Sequence, residues 1–312
     1  MVRMNILLTE PSNYSLEALN IYSESGCNIF INPKNYKEDL IDCLLVRLNI
    51  SINREFISNY PNLKYIISPT TALTHIDVEE CKEKNIKLIS LRDCKKDLKL
   101  ITSSSEHALS LSLSIIRNLP RYFDLGANAE WDRYKYPIRE LSSLKIGIIG
   151  FGRIGKKLFD IFQTIGSKVY WFDIKKSKKN NKSYMTKQDL ILNSDLIIIC
   201  TSFNHGDKPV ISNEEIKLFN NNKFLVNISR GGNVSDKAIE KLFRDDKLSG
   251  YATDVIAEED ESKEISTSII YKLINDGFNI IITPHIGGAA SDAMSKAEIF
   301  VAKKFCNLIK KR

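Results

Sequence analysis

Apolar residues in this chain fall into short runs of four to six, separated by stretches where they recur every three or four positions. That pattern predicts strands alternating with amphipathic helices. In the first hundred residues, strands are expected at Asn5–Leu8, Asn28–Ile31, Cys43–Val46, Tyr65–Ile67 and Lys87–Ile89. Beyond Leu144 the alternation resumes with stronger runs, Lys145–Ile149, Lys168–Phe172, Asp195–Cys200, Lys223–Ile228, Gly250–Asp254 and Asn279–Thr283. Strands alternating with helices build parallel sheets, so the expected class is α/β with two sheets.

Between the two sets, Thr102 to Leu119 reads as one long helix halted at Pro120. The polar and aromatic stretch from Arg121 to Leu141 reads as irregular, an arm or a functional loop. Thr186-x-x-Asp189 and Ser212-x-x-Glu215 have the form of capping boxes, which start helices. A final helix is expected over Ala289 to Ile309.

The sharpest local signal runs from Leu144 to Asp173. An apolar strand ends in Gly150-Phe-Gly152-Arg153-Ile154-Gly155, and Ile154, Leu158, Ile161, Phe162 and Ile165 then recur at helical spacing up to Gly166. The three glycines suit a tight turn, a close approach of backbone to a pyrophosphate, and close helix–strand packing. The helix N-terminus offers N–H groups and a positive dipole end to the same pyrophosphate. A second strand, Lys168–Phe172, ends in Asp173, placed to hold a ribose 2′-hydroxyl. Strand, turn, helix, strand and acid together predict a doubly wound dinucleotide-binding (Rossmann) domain. A carboxylate at 173 repels a 2′-phosphate, which favours NAD over NADP. Lys175, Lys176, Lys178 and Lys179 follow it, either as a solvated turn or as partners for such a phosphate.

Composition narrows the class. The chain has 312 residues, enough for two cores, with 43% hydrophobic and 27% charged residues, as in soluble globular proteins. No apolar stretch approaches the ~20 residues that span a bilayer. The net charge of +7 comes from scattered lysines without an aromatic-and-basic stripe, so neither nucleic acid nor a membrane is an expected partner. The six cysteines show no Cys-x-x-Cys pair and no metal-ligand spacing with the four histidines, so reduced thiols, no metal and a cytoplasmic location are expected.

Taken in order, these segments resemble the D-isomer-specific 2-hydroxyacid dehydrogenases. The resemblance is carried by Pro61-Asn-Leu-Lys-Tyr-Ile-Ile with Thr74-His-Ile-Asp77, Ser105-Glu-His-Ala-Leu with Arg117-Asn-Leu-Pro120, and the Gly150–Gly155 turn. Asn227-Ile-Ser-Arg-Gly-Gly232, Asp254-Val255 with Glu259, and Thr283-Pro-His-Ile-Gly-Gly288 complete it. It is closest in kind to short, phosphoglycerate-dehydrogenase-like members without a regulatory domain. It implies an NAD domain over residues 100–287, inserted in a smaller flavodoxin-like substrate domain of residues 1–99 and 288–312. It also implies a homodimer formed through the NAD domain and the arm after the long helix.

Reduction of a 2-oxo acid requires a clamp for the carboxylate and a proton for the carbonyl oxygen. Arg230 and His285 each follow a predicted strand, at the carboxyl edge where ligands bind in such sheets. A guanidinium holds a carboxylate with two bonds, and an imidazole exchanges protons near neutrality. Glu259 follows the Gly250–Asp254 strand, and a carboxylate bonded to the second imidazole nitrogen favours the imidazolium. The resemblance assigns these roles to Arg230, Glu259 and His285. Asp260 stands where the family commonly has Pro, so Glu258 is the alternative partner.

The resemblance further implies cofactor contacts at Gly150, Gly152, Arg153, Ile154, Gly155, Asp173, Thr201, Ile228, Arg230, Asp254, His285, Gly287 and Thr71. Substrate contacts are implied at Thr70, Thr71, Ala72, Arg230 and His285, and Arg47 matches a position that faces a substrate phosphate. The 70–72 loop lacks the glycine common there. His75 and His107 read as packing or capping residues, His205 as exposed, and Cys200 as packing. The expected activity is NAD-dependent hydride transfer at C2 of a small D-2-hydroxy or 2-oxo acid. The alternatives are an NADP-preferring glyoxylate or hydroxypyruvate reductase and a non-catalytic NAD-sensing protein.

Overall fold

Each apolar run becomes a strand, and every strand pair is parallel. The computed structural model describes residues 3–31, 37–175, 182–203, 206–257 and 268–310. The chain divides into two units, Met1–Ile101 with Ala289–Arg312, and Thr102–Gly288.

In the first unit, β1 (Asn5–Leu8), β2 (Asn28–Phe30), β3 (Cys43–Leu45), β4 (Tyr65–Ser68) and β5 (Lys87–Ser90) form a sheet of order β2-β1-β3-β4-β5. This is the flavodoxin-like order, with its switch point between β1 and β3. Side chains alternate across the sheet. Ile6, Leu8, Cys43, Leu45, Tyr65 and Ile67 share one core with α1 (Leu16–Glu24) and the C-terminal helix α10 (Ser291–Ile309). Leu7, Leu44 and Ile66 face the other core, with Ile57 of α2 (Arg54–Ser58) and Cys81 of α3 (Val78–Glu83). Phe305 of α10 packs between Tyr22, at 5.9 Å between ring centroids, and Tyr65, at 5.3 Å.

A buried ion pair also fastens α10. Glu298 is 1% exposed, and its Oε1 accepts from Nε of Arg47 at 2.9 Å and from a terminal guanidinium nitrogen. Its Oε2 accepts from the backbone N–H of Ser15 at 2.7 Å. Arg47 also donates to Ser12 O at 2.6 Å and Asn13 O at 3.0 Å, and its guanidinium lies over the Tyr14 ring. The expectation of a substrate-facing Arg47 is corrected by this arrangement. Its guanidinium is committed to a carboxylate and two carbonyls inside the unit.

In the second unit, β6 (Lys145–Ile149), β7 (Lys168–Phe172), β8 (Leu196–Ile199), β9 (Lys223–Asn227), β10 (Leu248–Thr253) and β11 (Ile280–Ile282) form a sheet of order β11-β10-β9-β8-β6-β7. A parallel bridge from Trp171 to Tyr184 extends it beyond β7. Chain order reverses between β6 and β8, the switch point of a doubly wound sheet. Leu196 and Ile198 of β8 face α4 (Ser103–Ile116) and α6 (Arg153–Ile165). Ile197 and Ile199 face α7 (Lys187–Asn193), α8 (Asp236–Arg244) and α9 (Ile269–Asn275). Four consecutive apolar residues are needed because helices cover both faces.

The long helix ends earlier than expected. Asn118 turns left-handed (φ 50°), with its side-chain amide on Pro137 O, and α5 (Leu119–Ala127) follows with Pro120 in its first turn. Proline is tolerated there because the first-turn N–H has no helical partner. Pro120 therefore opens a helix, and the stretch expected to be irregular begins as one. Ser212 and Glu215 bond reciprocally as expected, but the helix they start is a single 3₁₀ turn, Glu215–Leu218.

Removing one partner of a buried ion pair strands the other charge, at a cost of about 3–5 kcal/mol. Glu298→Ala is accordingly expected to lower stability by about that amount in urea denaturation. Unfolding curves that superimpose on wild type would contradict this account of α10.

Candidate active site

The Gly150–Gly155 turn links β6 to α6. Gly150 adopts φ +100°, a conformation L side chains rarely adopt. A methyl group at Gly155 would overlap the Gly150 carbonyl, so helix and turn approach as closely as backbone allows. Gly152 faces open space and, as N-cap, contributes no side chain to the helix end. Asp173 at the end of β7 turns back onto this loop. Its Oδ2 accepts from Phe151 N–H at 2.9 Å and its Oδ1 from Lys175 N–H at 2.8 Å. Glycines that clear the helix N-terminus, with a carboxylate at the second strand end, form a cradle that fits a dinucleotide. Cys200, across the switch point, donates its thiol to Gly150 O at 3.4 Å, and burial pushes its pKa up to about 12. It is a packing group.

Three further loops leave the same carboxyl edge. The loop after β9 carries Arg230, half-buried, with one guanidinium nitrogen on Ser229 O at 2.6 Å. Buried asparagines shape it. Asn227 donates to Arg230 O at 3.0 Å and accepts from the Ser229 hydroxyl at 2.6 Å, while Asn233 donates to that hydroxyl at 2.9 Å. Gly231 packs on the backbone of Ile256 and Ala257, so the loops after β9 and β10 are in contact. Ile228 continues β9, pairing its N–H with Ile199 O at 3.2 Å, and Thr201 O accepts from the Asn233 amide.

Asp254 ends β10 and is buried. Its Oδ1 accepts from the Thr283 hydroxyl at 2.6 Å and Ile286 N–H at 2.9 Å, and its Oδ2 from Gly287 N–H at 2.7 Å. Its backbone carbonyl accepts from His285 N–H at 2.9 Å. His285 is exposed and left-handed (φ 54°), a conformation uncommon outside glycine. Asp254, expected as a cofactor contact, is thus also the anchor of the His285 loop. Arg230 and His285 both lie at the carboxyl edge of this sheet, on loops that flank the one bearing Asp254. Glu258 and Glu259, and likewise His205, Lys176, Lys178 and Lys179, lie outside the described residues.

One contributor was not singled out from the sequence. His107, on α4, brings Nε2 to 2.9 Å from Thr283 Oγ1 and 3.2 Å from Asp254 Oδ1. Ser103, one turn earlier, donates to Gly287 O at 2.7 Å. The i, i+4 spacing on a helix start was the available signal. It marks a shared face without indicating what that face meets.

In the first unit, Thr70 folds inward. Its hydroxyl donates to Ala72 O at 2.6 Å and lies 2.8 Å from the Ser68 hydroxyl, while Thr71 O accepts from the Arg92 guanidinium. His75 lies 3.4 Å from the Ser68 hydroxyl, and burial lowers its pKa. These bonds shape the 70–72 loop in place of a glycine.

Comparison with known proteins identifies the second unit. Residues 109–287 match the family model described as D-isomer specific 2-hydroxyacid dehydrogenase, NAD binding domain. The chain is 26% identical over 318 residues to D-3-phosphoglycerate dehydrogenase of Methanocaldococcus jannaschii, covering 98% of this chain and 58% of that protein. It therefore spans little more than half the length of that relative. Against glyoxylate reductase of Pyrococcus furiosus it is 26% identical over 274 residues, covering 84% of this chain and 78% of the relative. Among solved structures, D-lactate dehydrogenase of Aquifex aeolicus, complexed with NAD and lactic acid, superimposes with a TM-score of 0.73. That match has 24% identity and covers 98% of this chain and 94% of that one. This chain belongs to the D-isomer specific 2-hydroxyacid dehydrogenase family.

Proposed function

We propose that this protein is an NAD-dependent oxidoreductase interconverting a small, unphosphorylated D-2-hydroxy acid and its 2-oxo acid. The observation that carries the reading is the placement of Arg230 and His285 at the carboxyl edge of the same sheet as the Gly150–Gly155 cradle. Bound NAD supplies the hydride acceptor or donor. Arg230 binds the carboxylate through paired N–H bonds and polarises the adjacent carbonyl. In reduction, a ring nitrogen of His285 gives its proton to the C2 oxygen as that carbon gains hydride. In oxidation the neutral ring takes the proton back. Glu259 is proposed to bond the other ring nitrogen and hold the imidazolium.

The contrast between two arginines supports an unphosphorylated substrate. Arg47 is tied to Glu298, Ser12 and Asn13, which disfavours it as a phosphate receptor. Glyoxylate, hydroxypyruvate and lactate-sized acids fit this reading better than a phosphoacid. A panel of 2-oxo acids assayed with NADH tests it, and turnover confined to phosphohydroxypyruvate contradicts it. Absence of turnover with any of them would favour the sensing alternative.

We also propose a homodimer through the arm that follows α4. Phe123, Trp131 and Tyr134 are 68, 98 and 86% exposed there, and large aromatics left in water mark an interaction surface. Among the described residues no helix is long and apolar enough to cross a membrane.

His285→Ala is expected to lower reductive kcat by roughly 10²–10⁴. In wild type, reductive kcat/KM should fall with rising pH and oxidative kcat/KM should rise, since the two directions require opposite protonation states of His285. Parallel limbs would remove His285 from proton transfer. Asp173 predicts a clear preference for NADH over NADPH, and Asp173→Ser should narrow the ratio of their kcat/KM values. An unchanged ratio would show that 173 does not read the ribose. Light scattering should give twice the chain mass, shifting toward monomer in Trp131→Glu; a wild-type monomer contradicts the dimer.

A further inference from the structure

The best-connected side chain without an assigned role is His107. We propose that His107 is a positioning residue for His285, acting through Thr283 and Asp254. The proposal rests on the reading of His285 as the proton carrier.

The direction of the hydrogen bonds follows from counting protons. Thr283 has one hydroxyl proton, and the 2.6 Å contact with the Asp254 carboxylate uses it. The 2.9 Å contact between Thr283 Oγ1 and His107 Nε2 must then carry the imidazole proton. Nε2–H of His107 therefore donates to Thr283, and Thr283 donates to Asp254. The same N–H faces Asp254 Oδ1 at 3.2 Å. The carboxylate so oriented receives the N–H groups of Ile286 and Gly287, the two residues after His285. Ser103 takes the next carbonyl, Gly287 O, from the same face of α4. A methyl group at Gly287 would come within 2.8 Å of Asp254 Oδ2 and 3.4 Å of the His107 ring, so the loop lies directly on this cluster.

The consequence is mechanical. His285 holds a left-handed backbone (φ 54°), which costs of order 1–3 kcal/mol unless its surroundings over-determine it. Bonds from Thr283 on one side and from Ile286 and Gly287 on the other supply that determination, and His107 links them to a rigid helix. Displacement of a proton donor by about 1 Å can cost about 10²-fold in rate, whereas a dinucleotide held at the Gly150–Gly155 turn does not depend on this loop alone.

The test compares His107→Leu, His107→Gln, His285→Gln and the double variant His107→Leu/His285→Gln. Each is assayed for NADH-dependent glyoxylate reduction and for NADH affinity by fluorescence titration. His107→Leu is expected to lose about 10- to 100-fold in kcat, with NADH affinity held within about twofold. His107→Gln, whose amide N–H reaches the place of Nε2–H, should recover most of the loss. In the His285→Gln background, His107→Leu should add no further loss, because both act through one group. Wild-type kcat in His107→Leu, a fully additive double variant, or kcat and NADH affinity falling together would each overturn the proposal. Should His107→Leu not fold, Thr283→Val removes the relaying hydroxyl at equal volume and is expected to give the same kcat loss; wild-type kcat there overturns it too. If His285→Gln turns over like wild type, the reading of His285 fails. If His285→Gln is inactive while His107→Leu is unaffected, only the role given to His107 fails.

Discussion

The carboxylate of Asp254 organises the reactive edge of the second unit. It is buried where β10 ends, and it receives the hydroxyl of Thr283 and the backbone N–H groups of Ile286 and Gly287. A buried carboxylate without such donors would be strongly destabilising. Because the donors come from the chain after β11, satisfying the charge also fixes the path of the loop that presents His285. One electrostatic requirement thereby sets the geometry of an exposed imidazole. The same anchor reaches α4 through His107, so helix, strand end and loop form one hydrogen-bonded unit.

Two arginines show how context assigns a role to the same side chain. Arg47 meets Glu298 in a nearly dry environment, where a guanidinium unpaired would be costly, and its remaining donors close on carbonyls. Arg230 makes a single hydrogen bond from its guanidinium among the described residues, to Ser229 O, and stays half-buried at a loop end. Its backbone is instead gripped by Asn227, leaving further donors to meet a carboxylate. Saturation suits a structural role and spare donors suit a binding one.

Much of this was legible in the sequence because it is periodic. Runs such as Leu196–Ile199 are apolar at every position since both faces are covered, and a run of that kind identifies itself. The Gly150–Gly155 turn was legible because steric demands there leave only glycine. Pro120 was misread because proline breaks a helix interior yet suits a first turn, and the break at Asn118 has no apolar periodicity to announce it. His107 was missed for a different reason. Its partners, Thr283 and Asp254, are remote in sequence and meet it only once β10 and β11 are laid beside α4. Arg47 failed likewise, since Glu298 lies 251 residues away.

The most direct test of the central claim is a crystal structure of the protein with NADH and oxamate, an unreactive 2-oxo acid analogue. The account predicts the oxamate carboxylate paired with the Arg230 guanidinium, and its keto-like oxygen within about 2.6–3.2 Å of a His285 ring nitrogen. Oxamate bound away from Arg230, or the His285 ring turned from the nicotinamide with no contact to the ligand, would contradict it.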